Sequence, residues 1–435
     1  MLGTTFDRRR ELERMSGNEL KRFQLDRLNR LLATILPQNR FYAEKLAGMR
    51  LPLASLEEVA GLPMTGKDEL GQTGQGDLAA NHTYPRDQYV RFHRTSGTRG
   101  RPLVILDTAD DWQWWVDTWQ FVLDAADLGP ADRVLTAFSF GPFIGFWTAH
   151  DAAVARGALV IPGGGLNTLA RLELIQSSQA TTLLCTPSYA LHLAEAAVEH
   201  GIDTRGLEVR KIIVAGEPGG SVAAIRDRIE AAWNARVIDH AGATEVGPWG
   251  YADRARRGLH VVESEFIAEF LAVPTGRPAG DGELAELILT GLNRSGCPVI
   301  RYRTGDLVRP TWRAAGENRF VLLKGGVLGR ADDMLVIRGM NIFPSSVEQI
   351  LRSFPEIAEY RMIADRVAEM DALTIEVEDR LDEPARIGRE LQVRLGLRID
   401  VRCVPLGSLP RFEGKGRRFV DRRPAIARGL RKREH

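Results

Sequence analysis

Cysteine is scarce in this 435-residue chain: Cys185, Cys297 and Cys403 lie far apart, with no CxxC spacing. That excludes a disulfide framework and any zinc site evident from sequence. An excess of one charge is lacking too, with 58 Lys and Arg against 57 Asp and Glu. A net charge of +1 supplies no bulk field for a polyanion, so no nucleic acid partner is expected for the main body. Long apolar runs are missing as well. The longest, residues 134–149, is interrupted by Gly141, Pro142 and Gly145 and falls short of the ~20 residues that a membrane-spanning helix needs. The N-terminal MLGTTFDRRRELERM is charged where a signal peptide would be apolar. A cytoplasmic enzyme with no membrane partner is expected. The one charge cluster, from Arg417 and Arg418 through Arg422, Arg423 and Arg428 to Arg433, reads as a solvated terminus, with a contact for substrate phosphates as the alternative.

What is present points to an α/β protein of more than one domain, since 435 residues exceed one ordinary core. The first 45 residues read as helix, with apolar residues recurring at three and four spacings in LKRFQLDRLNRLLATIL. From about residue 130, short Val/Ile/Leu-rich runs (GALVIP, TTLLC, KIIVAG, RVID) alternate with helical stretches such as TLARLELIQSS and VAAIRDRIEAAW. Apolar strands alternating with helices imply a parallel sheet covered on both faces, with ligands gathered beyond the strands' carboxyl ends. LAELILT, PVIRYRT, RFVLLKG and MLVIRGM then read as a meander, and the last hundred residues as a small α+β unit. The boundary is expected near Gly329–Asp332.

Five segments carry the chemistry. Residues 94–102, RTSGTRGRP, follow the apparent strand QYVRFH. Hydroxyls and glycines there let backbone N–H groups close round a phosphate, although the spacing of a Walker loop is absent. Residues 239–245, DHAGATE, also follow a strand. Glu245 is suited to Mg²⁺, which takes one or two carboxylates together with substrate phosphate oxygens, and Thr244 can donate to a phosphate. In residues 302–306, YRTGD, a carboxylate fixed at a tight turn can accept from both ribose hydroxyls. Residues 329–333, GRADD, lead into IRGMNIFP, and Lys415 sits on a glycine-flanked loop in LPRFEGKG. Taken singly, each is an ordinary turn or surface charge.

Together, in this order and spacing, they resemble the adenylate-forming superfamily of acyl-coenzyme A synthetases, luciferases and nonribosomal adenylation domains. The closer likeness is to its phenylacetate–coenzyme A ligase branch, whose features run over nearly the whole chain: FYAEKL, LPMTGKDEL, Ala155–Leu159, CTPSYALHLAE and AGEP. The resemblance implies a large N-terminal ATP- and acyl-binding domain over 1–328, with parallel-sheet layers and a β-rich subdomain. A small mobile α+β domain over 329–435 would carry the catalytic lysine. It implies that Thr95, Ser96, Gly97, Thr98 and Gly100 hold the β- and γ-phosphates, Thr244 the α-phosphate and Glu245 the Mg²⁺. Asp239, His240 and Ala241 belong to the nucleotide site, Asp306 binds the ribose with Arg330 close by, and Gly216, Glu217 and Pro218 wall the adenine and acyl groups. Asp332 matches the hinge, and Lys415 the lysine that bridges substrate carboxylate and α-phosphate. Phe140, Gly141, Phe143, Ile144 and Tyr189 fall where similar enzymes line the acyl pocket, and an aromatic-lined slot suits an aryl or arylacetic acid.

The implied reaction uses ATP and Mg²⁺ to make an acyl-AMP, with coenzyme A as acceptor and a homodimer as the assembly. Two other outcomes fit the same resemblance: an adenylyltransferase that leaves AMP on its product, or acyl transfer to a carrier protein or amine. Ala241 departs from the pattern, because many relatives carry an adenine-stacking aromatic there. Some relatives bind structural zinc through cysteines after this loop; residues 251–260 supply none, so His260 is expected to bond locally. Trp112, Trp115 and Trp119 fall at helical spacing and are read as packing rather than substrate contacts.

Overall fold

The computed structural model describes residues 2–71, 78–95, 102–138, 141–145, 147–273, 275–312, 317–331, 335–337, 340–342, 344–367, 370–395, 397–411 and 418–423. Ser96, Gly97, Thr98, Gly100, Phe140, Asp332 and Lys415 lie outside these residues.

The N-terminal helical reading resolves into three pieces, Phe6–Glu13, Gly17–Ile35 and Arg40–Lys45. Local capping chemistry sets the breaks. Ser16 and Glu19 form a reciprocal capping box at the second helix, and the Asn39 side chain caps the third. Leu28, Leu31, Leu32 and Ile35 then bury one face against Tyr42, Leu53, Ile267 and Ile300.

A nine-stranded sheet forms the centre of the chain. Its order runs Pro310–Thr311, Leu322–Lys324, Gly258–Val261, Gly247–Ala252, Arg236–Ala243, Lys211–Val214, Thr182–Cys185, Arg133–Thr136, Leu159–Pro162. The last five strands are mutually parallel, as the alternating pattern predicts. At Arg236–Ala243 the pairing changes, because the chain turns back as the antiparallel Gly247–Ala252. Helices Thr168–Ser177, Pro187–Glu199 and Ala223–Trp233 cover the parallel part, with Tyr189, Trp233, Leu193 and Ile212 in one apolar cluster. The helix Ala109–Ala125 starts at a Thr108–Asp111 capping box and buries Trp112, Trp114, Trp115, Trp119 and Phe121. Truncating one such ring to alanine costs about 3–5 kcal/mol.

The expected meander divides between sheets. Ala285–Gly291 and Tyr302–Val308 pair with Phe266–Ala272 and Gly329–Arg330 in a four-stranded antiparallel sheet, whereas Leu322–Lys324 joins the large sheet. Leu335–Ile337 instead forms a hairpin with Met340–Ile342. Because Gly329 and Arg330 register opposite Leu307 and Asp306, the four-stranded sheet runs two residues beyond the boundary expected at 328/329.

The remaining residues build a separate core. Strands Asp400–Cys403, Met370–Asp379, Ile357–Val367 and Phe419–Asp421 form one sheet, with helices Pro344–Arg352 and Pro384–Leu395 packed through Val347, Leu351, Ile387 and Leu391. The strand Phe419–Asp421 falls in the tail expected to be solvated. Arg418 beside it is 9% exposed, and its Nε and Nη2 reach the two Glu359 oxygens at 2.7 and 3.0 Å. The solvated reading therefore fails at Arg418, whose charge is satisfied inside the fold. Among the described residues, no helix is long and apolar enough to cross a membrane.

Candidate active site

A cavity of about 480 Å³ opens beyond the carboxyl ends of the parallel strands, where the sheet changes from parallel to antiparallel. Loops after successive strands converge there because every parallel strand points its end the same way. Thr95, Gly216, Glu217, Pro218, Asp239, His240, Ala241, Thr244, Glu245, Asp306 and Arg330 all line it. Sequence segments separated by more than 200 residues thus meet in one space.

Each group is placed by local chemistry. Thr95 follows the strand Arg91–Arg94 and pairs with Leu103 ahead of the returning strand. Its N–H donates to the Leu103 carbonyl, and its Oγ1 accepts from the Leu103 N–H at 3.0 Å. Thr244 and Glu245 occupy the turn between Arg236–Ala243 and Gly247–Ala252, closed by the Val246 N–H on the Ala243 carbonyl. Gly247 leaves that turn at φ +127°, and a Cβ there would sit 2.6 Å from the Trp114 ring, so only glycine fits. The Glu245 carboxylate is nearly buried and takes the Lys67 ammonium at 2.5 Å. Lys67 also lines the cavity. Nothing local in LPMTGKDEL marks Lys67 as facing residue 245, so sequence alone gives this lysine no role.

Asp306 was expected at a tight turn. It lies instead within the strand Tyr302–Val308, at a bulge where residues 304–306 face the single position 287. Gly305 adopts φ +73° there, as such bulges require. Arg330 Nη1 donates to Asp306 Oδ1 at 2.9 Å across the adjacent strand. The Asp239 carboxyl accepts from Ser221 Oγ at 2.5 Å, and burial pushes it up to about 6. Glu217 Oε1 accepts from the Ser188 N–H at 2.8 Å, at the start of a helix where a negative charge is favoured. Burial, and then the Glu348 carboxylate, raise the Glu217 carboxyl above its usual range. Glu348 belongs to the second core, which closes one side of the cavity with Pro344, Met362, Arg418 and Phe419.

Two sequence expectations change. Tyr189 is fully buried and accepts from Arg171 Nη1 at 2.6 Å; it belongs to the core behind the parallel strands and does not line the cavity. Of the expected acyl-pocket group, Ile144 lines the cavity, whereas Gly141 and the 46% exposed Phe143 do not. Conversely, Trp115 and Trp119 are both core and cavity wall, together with Trp249. Helical spacing identified their burial but not the space that their outer edges face. His240 packs its ring 4.3 Å from that of Trp119 and uses Nδ1 on the Gly250 carbonyl, and burial pulls it down to about 4. It is therefore a neutral wall residue beside Ala241. His260 Nδ1 lies 2.9 Å from the Phe320 carbonyl, distant in sequence, and its Nε2 lies 3.4 Å from the nearby Asp253 Oδ1.

The chain is similar to known proteins over nearly its whole length. Residues 339–423 match the AMP-binding enzyme C-terminal domain family. The phenylacetate–coenzyme A ligase of Thermus thermophilus is 31% identical over 446 residues, covering 95% of this chain and 99% of its own length. That of Escherichia coli is 32% identical over 434 residues, covering 95% and 98%. Among solved structures, 2-hydroxyisobutyryl-CoA ligase in its postadenylation state with 2-HIB-AMP superposes with a TM-score of 0.89 at 26% identity, covering 96% of this chain and 93% of that one. The same ligase in its thioesterification state, with 2-HIB-AMP and CoA, gives 0.73 at 27% identity over 98% and 94%.

The chain belongs to the adenylate-forming enzymes, in the group of the phenylacetate–coenzyme A ligases. It is an AMP-forming acid–thiol ligase: ATP activates a carboxylic acid as its acyl-AMP, and coenzyme A then takes the acyl group as a thioester.

Proposed function

We propose that the acid is aromatic or arylacetic, and that the residues converging on the cavity divide the reaction between them. The single observation that carries the assignment is the meeting of Thr95, Thr244, Glu245, the Asp306–Arg330 pair and the 216–218 segment in one cavity. Asp306 accepts from the ribose hydroxyls while Arg330 fixes its carboxylate. Thr244 donates to the α-phosphate, and Thr95 opens the loop that carries the remaining phosphates. The rings of Trp115, Trp119 and Trp249 supply apolar wall suited to an aryl group. The phenylacetate–coenzyme A ligases to which the chain is similar favour the same acid class.

The residues present fit Mg²⁺. Glu245 is a nearly buried carboxylate that already draws a cation, the Lys67 ammonium, and Mg²⁺ is held by one or two carboxylates together with substrate phosphates. When bound, the ion would neutralise charge that develops on the departing pyrophosphate. Lys415 is proposed to bring its ammonium to the substrate carboxylate and α-phosphate, so that two anions can approach. The higher TM-score to the postadenylation state supports reading this arrangement of the two cores as one that follows acyl-AMP formation. We further propose Asp332 as the hinge between them.

The decisive measurement is pyrophosphate release from Mg·ATP over a panel of aryl, arylacetic and short aliphatic acids, with and without coenzyme A. Release that depends on an aryl or arylacetic acid and turns over with coenzyme A is the expected outcome. Turnover on aliphatic acids alone would reject the proposed substrate class.

A further inference from the structure

Behind the cavity wall, the Arg294 guanidinium is 1% exposed and reaches four groups. Its Nη1 donates to the Thr244 carbonyl at 2.9 Å and to the Glu245 carbonyl at 3.1 Å. Its Nε donates to Asp107 Oδ1 at 2.7 Å, and its Cζ lies 5.3 Å from the centroid of the Trp115 ring. Asp107 ends the strand Val104–Asp107, the arm of the hairpin that returns from the first glycine-rich loop. Asp107 is fully buried and also accepts from Trp115 Nε1 at 3.1 Å, and His93 Nδ1 lies 3.6 Å from it. Burial alone would raise this carboxyl; Arg294 and His93 outweigh that and hold it below its usual range. Asp111, one turn into the following helix, accepts from the N–H groups of Ser295 and Gly296 and so fixes the segment that carries Arg294.

One buried cation therefore joins the loop hairpin to the turn that presents Thr244 and Glu245. A guanidinium suits this task because its rigid fork can bond a carboxylate on one edge and carbonyls on another at once. Without it, the part-buried Thr244 carbonyl and the buried Glu245 carbonyl would lose this donor, Asp107 would keep only Trp115 and His93, and the turn would be free to relax.

We propose that Arg294 is a positioning residue for acyl-AMP formation: it holds the Thr244–Glu245 turn at a fixed distance from the phosphate-loop hairpin, so that the Glu245 carboxylate is preset for metal-bound ATP. It touches neither substrate nor metal. This rests on the roles proposed above for Thr244 and Glu245. Outer groups that orient a metal-binding side chain typically contribute about 10–100-fold to affinity or activity.

The test uses the full-length enzyme with Arg294→Gln, Arg294→Lys, Glu245→Gln and the double variant Arg294→Gln/Glu245→Gln. Acyl-AMP formation is measured as a function of Mg²⁺, alongside thioester formation from supplied acyl-AMP. Arg294→Gln should lower the first about 10–100-fold and raise the Mg²⁺ concentration for half-maximal rate, while the second changes several-fold less. Arg294→Lys, which keeps the charge and loses the fork, should recover part of the loss. The double variant should be little worse than Glu245→Gln alone, because both changes act through one carboxylate. Equal loss in both half-reactions with an unchanged Mg²⁺ dependence, or full additivity with Glu245→Gln, would overturn the proposal. If Arg294→Gln does not fold, the Mg²⁺ dependence of Arg294→Lys decides by the same criterion. An inert Glu245→Gln would instead overturn the reading of Glu245 itself.

Discussion

At the scale of single residues, the site depends on groups whose ordinary chemistry is redirected by neighbours. Asp306 is held by Arg330 at 2.9 Å, which fixes the direction of the carboxylate proposed to meet the ribose diol. Asp306→Ala should raise the KM for ATP about 10–100-fold with a smaller change in kcat, since hydrogen bonds to a charged group contribute about 1.5–3 kcal/mol. A kcat effect with unchanged KM would contradict the ribose role. His82 shows the same redirection in stability. Its Nδ1 lies 2.6 Å from the Ala79 carbonyl and its Nε2 3.1 Å from the Leu106 N–H, so the neutral ring donates on one side and accepts on the other. Burial pulls its pKa from 6.5 down to about 4. Between these values the unfolded chain binds a proton that the native state does not. The contribution is therefore fully present above pH 6.5 and lost as pH falls through about 4. The Tm difference between wild type and His82→Gln should be largest near pH 7 and narrow toward pH 4; a difference constant with pH would refute this.

At the scale of elements, a bulge and a change in strand direction do what individual side chains cannot. The bulge at residues 304–306 depends on φ +73° at Gly305, a conformation that costs a branched residue about 1–2 kcal/mol. Gly305→Val should lower stability by roughly that amount and also raise the KM for ATP, because the Asp306 carboxylate would be re-aimed. Thermal unfolding with ATP kinetics checks both. Lost stability with an unchanged KM would show that the bulge does not aim Asp306. The return of the chain after Arg236–Ala243 similarly explains why Thr244 and Glu245 sit together at the sheet's switch point.

At the scale of the whole molecule, the second core brings Glu348, Arg418 and Phe419 against the cavity, so both cores contribute to its lining. Lys415 lies outside the described residues, a few positions before Arg418 in the sequence. Lys415→Ala should cut acyl-AMP formation about 10²–10³-fold and spare thioester formation from supplied acyl-AMP. Single-turnover assays of each half-reaction separate the two; equal losses would remove the lysine from the first step.

The sequence by itself determined the element types, the parallel sheet and the order of the nucleotide motifs. These follow from local signals: apolar periodicity, glycine and hydroxyl clusters at strand ends, and capping residues such as Ser16 and Thr108. Only the tertiary structure decided which side chains face one another across long stretches of chain. Lys67 meeting Glu245, Arg294 gripping the Thr244 and Glu245 carbonyls, Tyr189 falling into the core and Trp115 into the wall are all set by how layers pack. Local sequence specifies a residue's face on its own helix or strand. The partner on the opposite face is specified by the fold, because packing brings together positions that the chain keeps apart.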